Sequence, residues 1–220
     1  MPQDYPVTPQ TTPTRLKERV SYDRAAAHAI LDEAVVCHVG FVVDGLPVVL
    51  PQLHARVGET LYLHGSSAAR SARAAKGGGL AVCVTVTLVD ALVLARTAFH
   101  HSINYRSVVI HGLAHEVVDE ADKQAALASL VDAVVPGRSA EVRGPNRKEL
   151  AATIVLRLDL QNVSVKTRSG PPSDDEPDMS LPYWAGILPI TSVPATPQPA
   201  PDLAVGIPVP AHVSEWMRPL

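Results

Sequence analysis

The chain has 220 residues, 46% of them hydrophobic, which is enough to bury one core and excludes a wholly disordered protein. A formal net charge of −3 excludes general electrostatic attraction to nucleic acid, so any anion site must be local. No run approaches the roughly 18 apolar residues of a membrane span, and MPQDYPVTPQTTPTRLKERV lacks the apolar centre of a signal peptide, so a cytoplasmic protein is expected.

Proline divides the chain. Residues 1–13 hold four of the 20 prolines and residues 171–219 hold twelve, with only Pro47, Pro51, Pro136 and Pro145 between. An ordered domain over 20–170 is expected, flanked by Pro-rich extensions over 1–19 and 171–220, the second partly packed on the domain.

Asp23 is placed to cap a short alanine-rich helix with Ala27, Ile30 and Leu31 on one face. VVCHVGFVV and LPVVLPQLHAR flank Asp44-Gly45, the signature of a tight β-hairpin. LYLH is a further short strand, and SSAARSARAA, residues 66–75, reads as a helix stopped by Lys76-Gly77-Gly78-Gly79. Because those glycines end a helix instead of opening one, they do not make a phosphate loop.

LAVCVTVT and DALVLAR read as two strands. After TAFHHSIN a long strand runs from about Tyr105 to Val118. Residues 119–135 suit an amphipathic helix with Ala121, Ala125, Leu127, Leu130, Val131 and Val134 on its apolar side. A short helix at 146–152 and the strands TIVLRLDL and NVSVKTRS complete the domain. About seven or eight short strands with few helices favour an antiparallel barrel, which leaves no sheet edge exposed.

Chemistry concentrates in two places. In His64-Gly65-Ser66-Ser67-Ala-Ala-Arg70-Ser-Ala-Arg73 a strand ends where a helix begins, so free backbone N–H groups and arginines one turn on could hold a phosphate; a capping serine with solvent-facing arginines would read the same way. In Asn104-Tyr105-Arg106-Ser107 alternate residues face opposite sides, Tyr105 with Ser107 and Asn104 with Arg106. No metal site is expected: His111 and His115 sit about 13 Å apart on a strand, adjacent His100 and His101 diverge, and no Cys or acidic cluster completes a ligand set. Cys37 and Cys83 lie in apolar runs as packing residues, and no activated nucleophile is visible.

The order LPVVLPQLHARVGETLYLHGSSAARSARAAKGGGLAVCVTV, then FHHSINYRSVVIHGLAHEV, then KTRSGPP and PYWAGILP, resembles the pyridoxamine 5'-phosphate oxidase-like FMN-binding split-barrel family, in particular its nitroimidazole-resistance-type branch. The resemblance spans residues 21–189. It implies a six-stranded antiparallel split β-barrel, mainly β with flanking helices, and a homodimer with FMN at the subunit interface. It implies that Leu50, Pro51 and Gln52 edge the flavin ring, that His64, Gly65, Ser66 and Arg70 hold the phosphate, and that Tyr105, Arg106, Ser107 and Lys166 line the cofactor. His100, His101 and Trp184 are substrate-side candidates. The expected function is an FMN-dependent oxidoreductase acting on a small organic substrate; the alternative is a non-catalytic flavin, deazaflavin or haem carrier. The R-x-H pattern of true pyridoxamine phosphate oxidases is missing from VSVKTRSGPP, which argues against vitamin B6 oxidation.

Overall fold

The computed structural model describes residues 3–68, 75 and 78–217. Nine strands form one sheet: β1 (Val20–Ser21), β2 (Val36–Val43), β3 (Leu46–Val57), β4 (Thr60–Ser66), β5 (Leu80–Leu94), β6 (Ser102–Glu116), β7 (Thr153–Asp159), β8 (Asn162–Arg168) and β9 (Gly186–Pro189). Their order is β1-β8-β6-β7-β4-β3-β2-β5-β9, and an additional pairing of β6 with β5 makes a cycle of six strands. This is the mainly β, split-barrel class expected from the sequence. By contacts the chain divides into two compact units, residues 1–34, 84–111 and 161–191 in the first, and 35–83, 112–160 and 192–220 in the second.

In the first unit α1 (Arg24–Glu33) starts where the Asp23 carboxylate accepts from the backbone N–H of Ala25 and Ala26. Its apolar face, Ala27, Ile30 and Leu31, is buried as the spacing predicts, and the helix lies against β8. The Pro-rich N-terminus is drawn into this unit. Tyr5 is buried, its backbone N–H donates to Tyr22 O, its hydroxyl meets His28 Nε2 at 3.1 Å, and the Arg24 guanidinium stacks 4.1 Å from its ring.

β5 is one strand of 15 residues where the sequence suggested two. Asp90, the one turn-favouring residue of Leu88-Val89-Asp90, is bonded to Arg106 instead of turning the chain, so the alternation of buried and exposed residues continues, slipping by one position there. β1 and β9 escaped the sequence reading because two- and four-residue strands carry too short a pattern to register.

In the second unit the β2–β3 hairpin turns through Asp44 at φ 53° and Gly45 at φ 76°. Two consecutive positive φ values define a type I′ turn, which explains the Asp-Gly pair. Helix α2 (Glu120–Val134) is capped by Asp119, which accepts from Asp122 N–H. Its buried residues are Ala126 and Leu130, one turn apart, while Ala121 and Ala125 are exposed; the apolar face lies one residue round from the side expected. Alanine is compatible with either face, so composition alone misplaced it. Ala126 packs with Val117 and Val155, flanked by Tyr62 and Leu127. Helix α3 (Arg147–Ala152) opens with a full capping box between Asn146 and Glu149. Of the helix expected at 66–75, residues 69–74 fall outside the described residues, while Ser66, expected to open it, is the last residue of β4.

A β-carbon at Gly45 would meet nothing within 4 Å, so the demand there is purely conformational. Gly45→Val is expected to cost about 1–2 kcal/mol, read as a lower urea midpoint at unchanged slope.

Candidate functional site

Residues that the sequence assigns to one site fall in both compact units. In the first unit, β6 pairs with β8 through Tyr105↔Arg168, Arg106↔Thr167 and Ser107↔Lys166. The Ser107 hydroxyl donates to the Lys166 carbonyl at 3.5 Å, so Ser107 and Lys166 share a rung of the ladder.

Arg106 is committed to carboxylates. Its Nη2 donates to Asp90 Oδ1 at 2.8 Å and to Glu33 Oε1 at 3.1 Å, its Nε donates to Asp90 Oδ2 at 3.1 Å, and its Nη1 donates to Glu33 Oε2. The hydrogen bonds to Asp90 and then to Glu33 push the guanidinium pKa further up, so it is a permanent cation. Neither acid was singled out from the sequence. The available signal was Asp90 itself, an acidic residue inside the apolar strand LVDALVL, which calls for a cationic partner.

The loop before β6 is tied to the segment after β8. The Asp174 carboxylate, inaccessible to solvent, accepts from the backbone N–H of Arg96 at 3.0 Å and of Thr97 at 3.2 Å and from the Arg96 guanidinium at 3.2 Å. Burial alone would raise its pKa, but these donors together outweigh that effect and hold it below the usual aspartate value. Arg168 donates to Asn104 Oδ1 and to the carbonyls of Gly170 and Pro171, which fixes the KTRSGPP turn. His100 Nε2 lies 3.3 Å from Asp175, His101 Nδ1 lies 2.9 Å from the Thr97 carbonyl, and Phe99 stands 89% exposed with its ring edge-on to His100. Trp184 is 69% exposed, and its indole covers Gly186 so closely that a β-carbon there would sit 2.8 Å from the ring.

In the second unit Leu50 and Pro51 are exposed on β3, and the Gln52 carbonyl accepts from Cys37 Sγ at 3.5 Å. Burial, only partly offset by a backbone hydrogen bond, pushes the Cys37 thiol up to about 12, and burial also raises Cys83. His64, Gly65 and Ser66 pair with Val155, Ile154 and Thr153 of β7. The Ser66 hydroxyl accepts from Ala68 N–H at 3.2 Å, the local bond expected of a capping serine. Arg70 and Arg73 lie outside the described residues.

A cavity of ≈ 730 Å³ opens beside His64, with walls from α2, the end of β3 and residues 138–145. Leu53, Leu127, Leu130 and Val134 make it largely aliphatic, and Arg138 and Ser139 lie on its rim. His64 Nδ1 is buried with no hydrogen-bond partner among the described residues. The sequence reading missed this cavity, since an apolar helix face reads as core whether or not its neighbour fills the space. Among the described residues no group of three or more His, Cys, Asp or Glu is placed to hold a metal ion, and no helix is long and apolar enough to cross a membrane.

The profile of the pyridoxamine 5'-phosphate oxidase family matches residues 23–167, from the cap of α1 to the next-to-last residue of β8. The chain belongs to this family. Two solved structures are similar over nearly the whole chain. The flavocytochrome Anf3 from Azotobacter vinelandii superposes with a TM-score of 0.89 at 37% identity, covering 96% of this chain and 97% of that one. The FAD and heme binding protein from Mycobacterium smegmatis superposes with a TM-score of 0.84 at 38% identity, covering 90% and 96%. A candidate 5-nitroimidazole antibiotic resistance protein from Bacteroides thetaiotaomicron shares the fold, with a TM-score of 0.57 at 20% identity over 67% of this chain and 85% of that one. Among curated proteins none matches.

For this member of the pyridoxamine 5'-phosphate oxidase family, Arg106→Ala is expected to destabilise by roughly 3 kcal/mol, because Glu33 and Asp90 lose their common cation. Urea unfolding at neutral pH reads the effect, and a stability equal to that of the unsubstituted chain would count against the ion-pair account.

Proposed function

We propose that this chain is a redox protein that binds a flavin, with haem as a second group. The observation that carries the reading is the near-complete similarity, at 37% and 38% identity, to a flavocytochrome and to an FAD and heme binding protein. Those relatives favour FAD over the FMN expected from the sequence, and they raise haem from an alternative to a partner of the flavin. A bound flavin supplies one- and two-electron transfer, so the protein's tasks are to bind it, orient it and control access. That fits a site without an activated nucleophile.

Residues present suit a flavin. Leu50 and Pro51 form an exposed apolar edge, Gln52 beside them brings an amide, and Gly65 and Ser66 bring backbone and hydroxyl groups to the end of β4. On the β6–β8 ladder, Tyr105, Ser107 and Lys166 supply a ring, a hydroxyl and a cation. Arg106, with its guanidinium committed to Asp90 and Glu33, would serve the flavin by holding Tyr105 and Ser107 in register and not by contact. His100, His101 and the exposed Trp184 remain the substrate-side residues of this proposal, for a small organic substrate.

Absorbance and mass of what co-purifies test the reading. The expectation is a yellow to red protein releasing FAD and carrying a Soret band; release of FMN or a deazaflavin alone would move the assignment to the flavin-only alternatives. Reduction by a nicotinamide donor with turnover of an acceptor separates an oxidoreductase from a carrier.

A homodimer is part of the same proposal. On the outward face of the β2–β3 hairpin Val42 is 61% and Val49 63% exposed, with Val36, Pro47 and Pro51 also exposed on that face. A contiguous apolar sheet face of this kind is what a second subunit covers. Val49→Arg should move the sedimentation coefficient from dimer to monomer and loosen the flavin; an unchanged dimer would place the interface elsewhere.

A further inference from the structure

Residues 192–210, part of the second unit, are uncovered in an unusual way. Six of these residues are proline, and Asp202 is the one charged residue among them. The segment is shaped by its own backbone: Leu203 N–H donates to Ala200 O at 3.0 Å, Ile207 N–H donates to Ala204 O at 3.5 Å, and Gly206 takes φ 91°. Just beyond it His212 Nδ1 stands 3.5 Å from Glu141 Oε1 and ties the end down. Yet the apolar side chains face water. Val205 is fully exposed, and Val193, Leu203, Ile207 and Val209 are exposed as well. A segment fixed in shape, anchored at one end and apolar on its outside has the character of a docking surface.

The prolines decide how it can be covered. Six missing N–H groups keep the segment from joining a sheet as an added strand, so it must dock through side chains. Fixed φ angles also lower the entropy lost on docking. The matching face is that of the β2–β3 hairpin, where residues 36–51 carry Asp44 at the turn and no Glu, Lys or Arg. A charged partner would find almost no counter-charge on either surface. Both surfaces belong to the same compact unit, but Val49 and Val205 are exposed together, so the segment does not cover the hairpin of its own chain. A stable dimer buries roughly 20–30 residues a side. The hairpin face, with Val36, Val42, Pro47, Val49 and Pro51, offers only a fraction of that.

We propose that residues 192–210 form an arm that crosses to a second copy of the chain and lies on its β2–β3 hairpin, with Val205 and Ile207 seated against Val42 and Val49 of the partner subunit. Each copy carries one arm and one hairpin face, so a two-fold exchange satisfies both arms at once. The inference rests on the homodimer of the proposed function and extends it, because the arm supplies the apolar contact that the hairpin alone lacks. Pro51, an expected flavin-edge residue, is exposed on the same face. The arm therefore also borders the cofactor slot with residues of the second subunit.

The test uses the full chain. Val49→Cys and Val205→Cys chains carrying different affinity tags are co-expressed, isolated as mixed dimers and mildly oxidised. The expected product is a disulfide between position 49 of one chain and position 205 of the other, mapped by peptide mass spectrometry and absent from the unsubstituted chain, whose thiols are buried or half-buried. In a chain bearing both substitutions, a 49–205 disulfide that runs at monomer mass on a denaturing gel would place the arm on its own hairpin and overturn the inference. Mixed dimers that form without the cross-link overturn it as well, and leave the homodimer standing. An unsubstituted chain that sediments as a monomer overturns both. Val205→Asp and Ile207→Asp together should raise the dimer dissociation constant by a factor of about ten or more, since each places a carboxylate where an apolar side chain is buried. The circular dichroism of the monomer should not change, because both side chains lie on the outside of the chain. An unchanged dissociation constant counts against the arm.

Discussion

A guanidinium shared by two carboxylates sets the geometry of the first unit. Arg106 stands on β6, Asp90 on β5 and Glu33 at the last turn of α1, so three elements distant in sequence are referred to one cation. Glu33 is almost fully buried, and the paired hydrogen bonds from Arg106 help to offset the cost of an ionised carboxylate there. The planar fork admits little freedom in how β5 and β6 lie beside each other. At Asp90 the alternation of β5 slips by one residue, which is where a strand must bend its pattern to present a carboxylate on the required side.

Local rules made much of the fold legible. Asp23 and Asn146 announced their helices because a capping side chain acts within three residues, and Asp44-Gly45 announced its hairpin because only a few residue pairs accept two positive φ values. Long-range relations were not legible in the same way. β5 was broken in two for want of a rule that says when an acidic residue interrupts a strand and when it is bonded across to an arginine. The face of α2 was misjudged by one position because its alanines suit both burial and exposure.

The candidate site shows the same division. Most residues proposed for the cofactor lie on β3, β4, β6 and β8, all readable as strands with unusual polar content, while His100, His101 and Trp184 lie in connecting segments. The cavity beside His64 depends on how far α2 stands from the strands beneath it, a distance set by side chains from three segments. His64 reads in the sequence as a motif residue beside Gly65 and Ser66, and only the fold shows that it also lines a cavity under α2.

Cys37 carries a consequence of another kind. Burial pushes its thiol up to about 12, so the thiolate is scarce at neutral pH, and burial shifts Cys83 in the same direction. Sulfenylation, glutathionylation and disulfide exchange all begin from the thiolate, so neither sulfur is a ready target. Burial that serves packing thus also keeps the Cys37 thiol in its protonated, least reactive form.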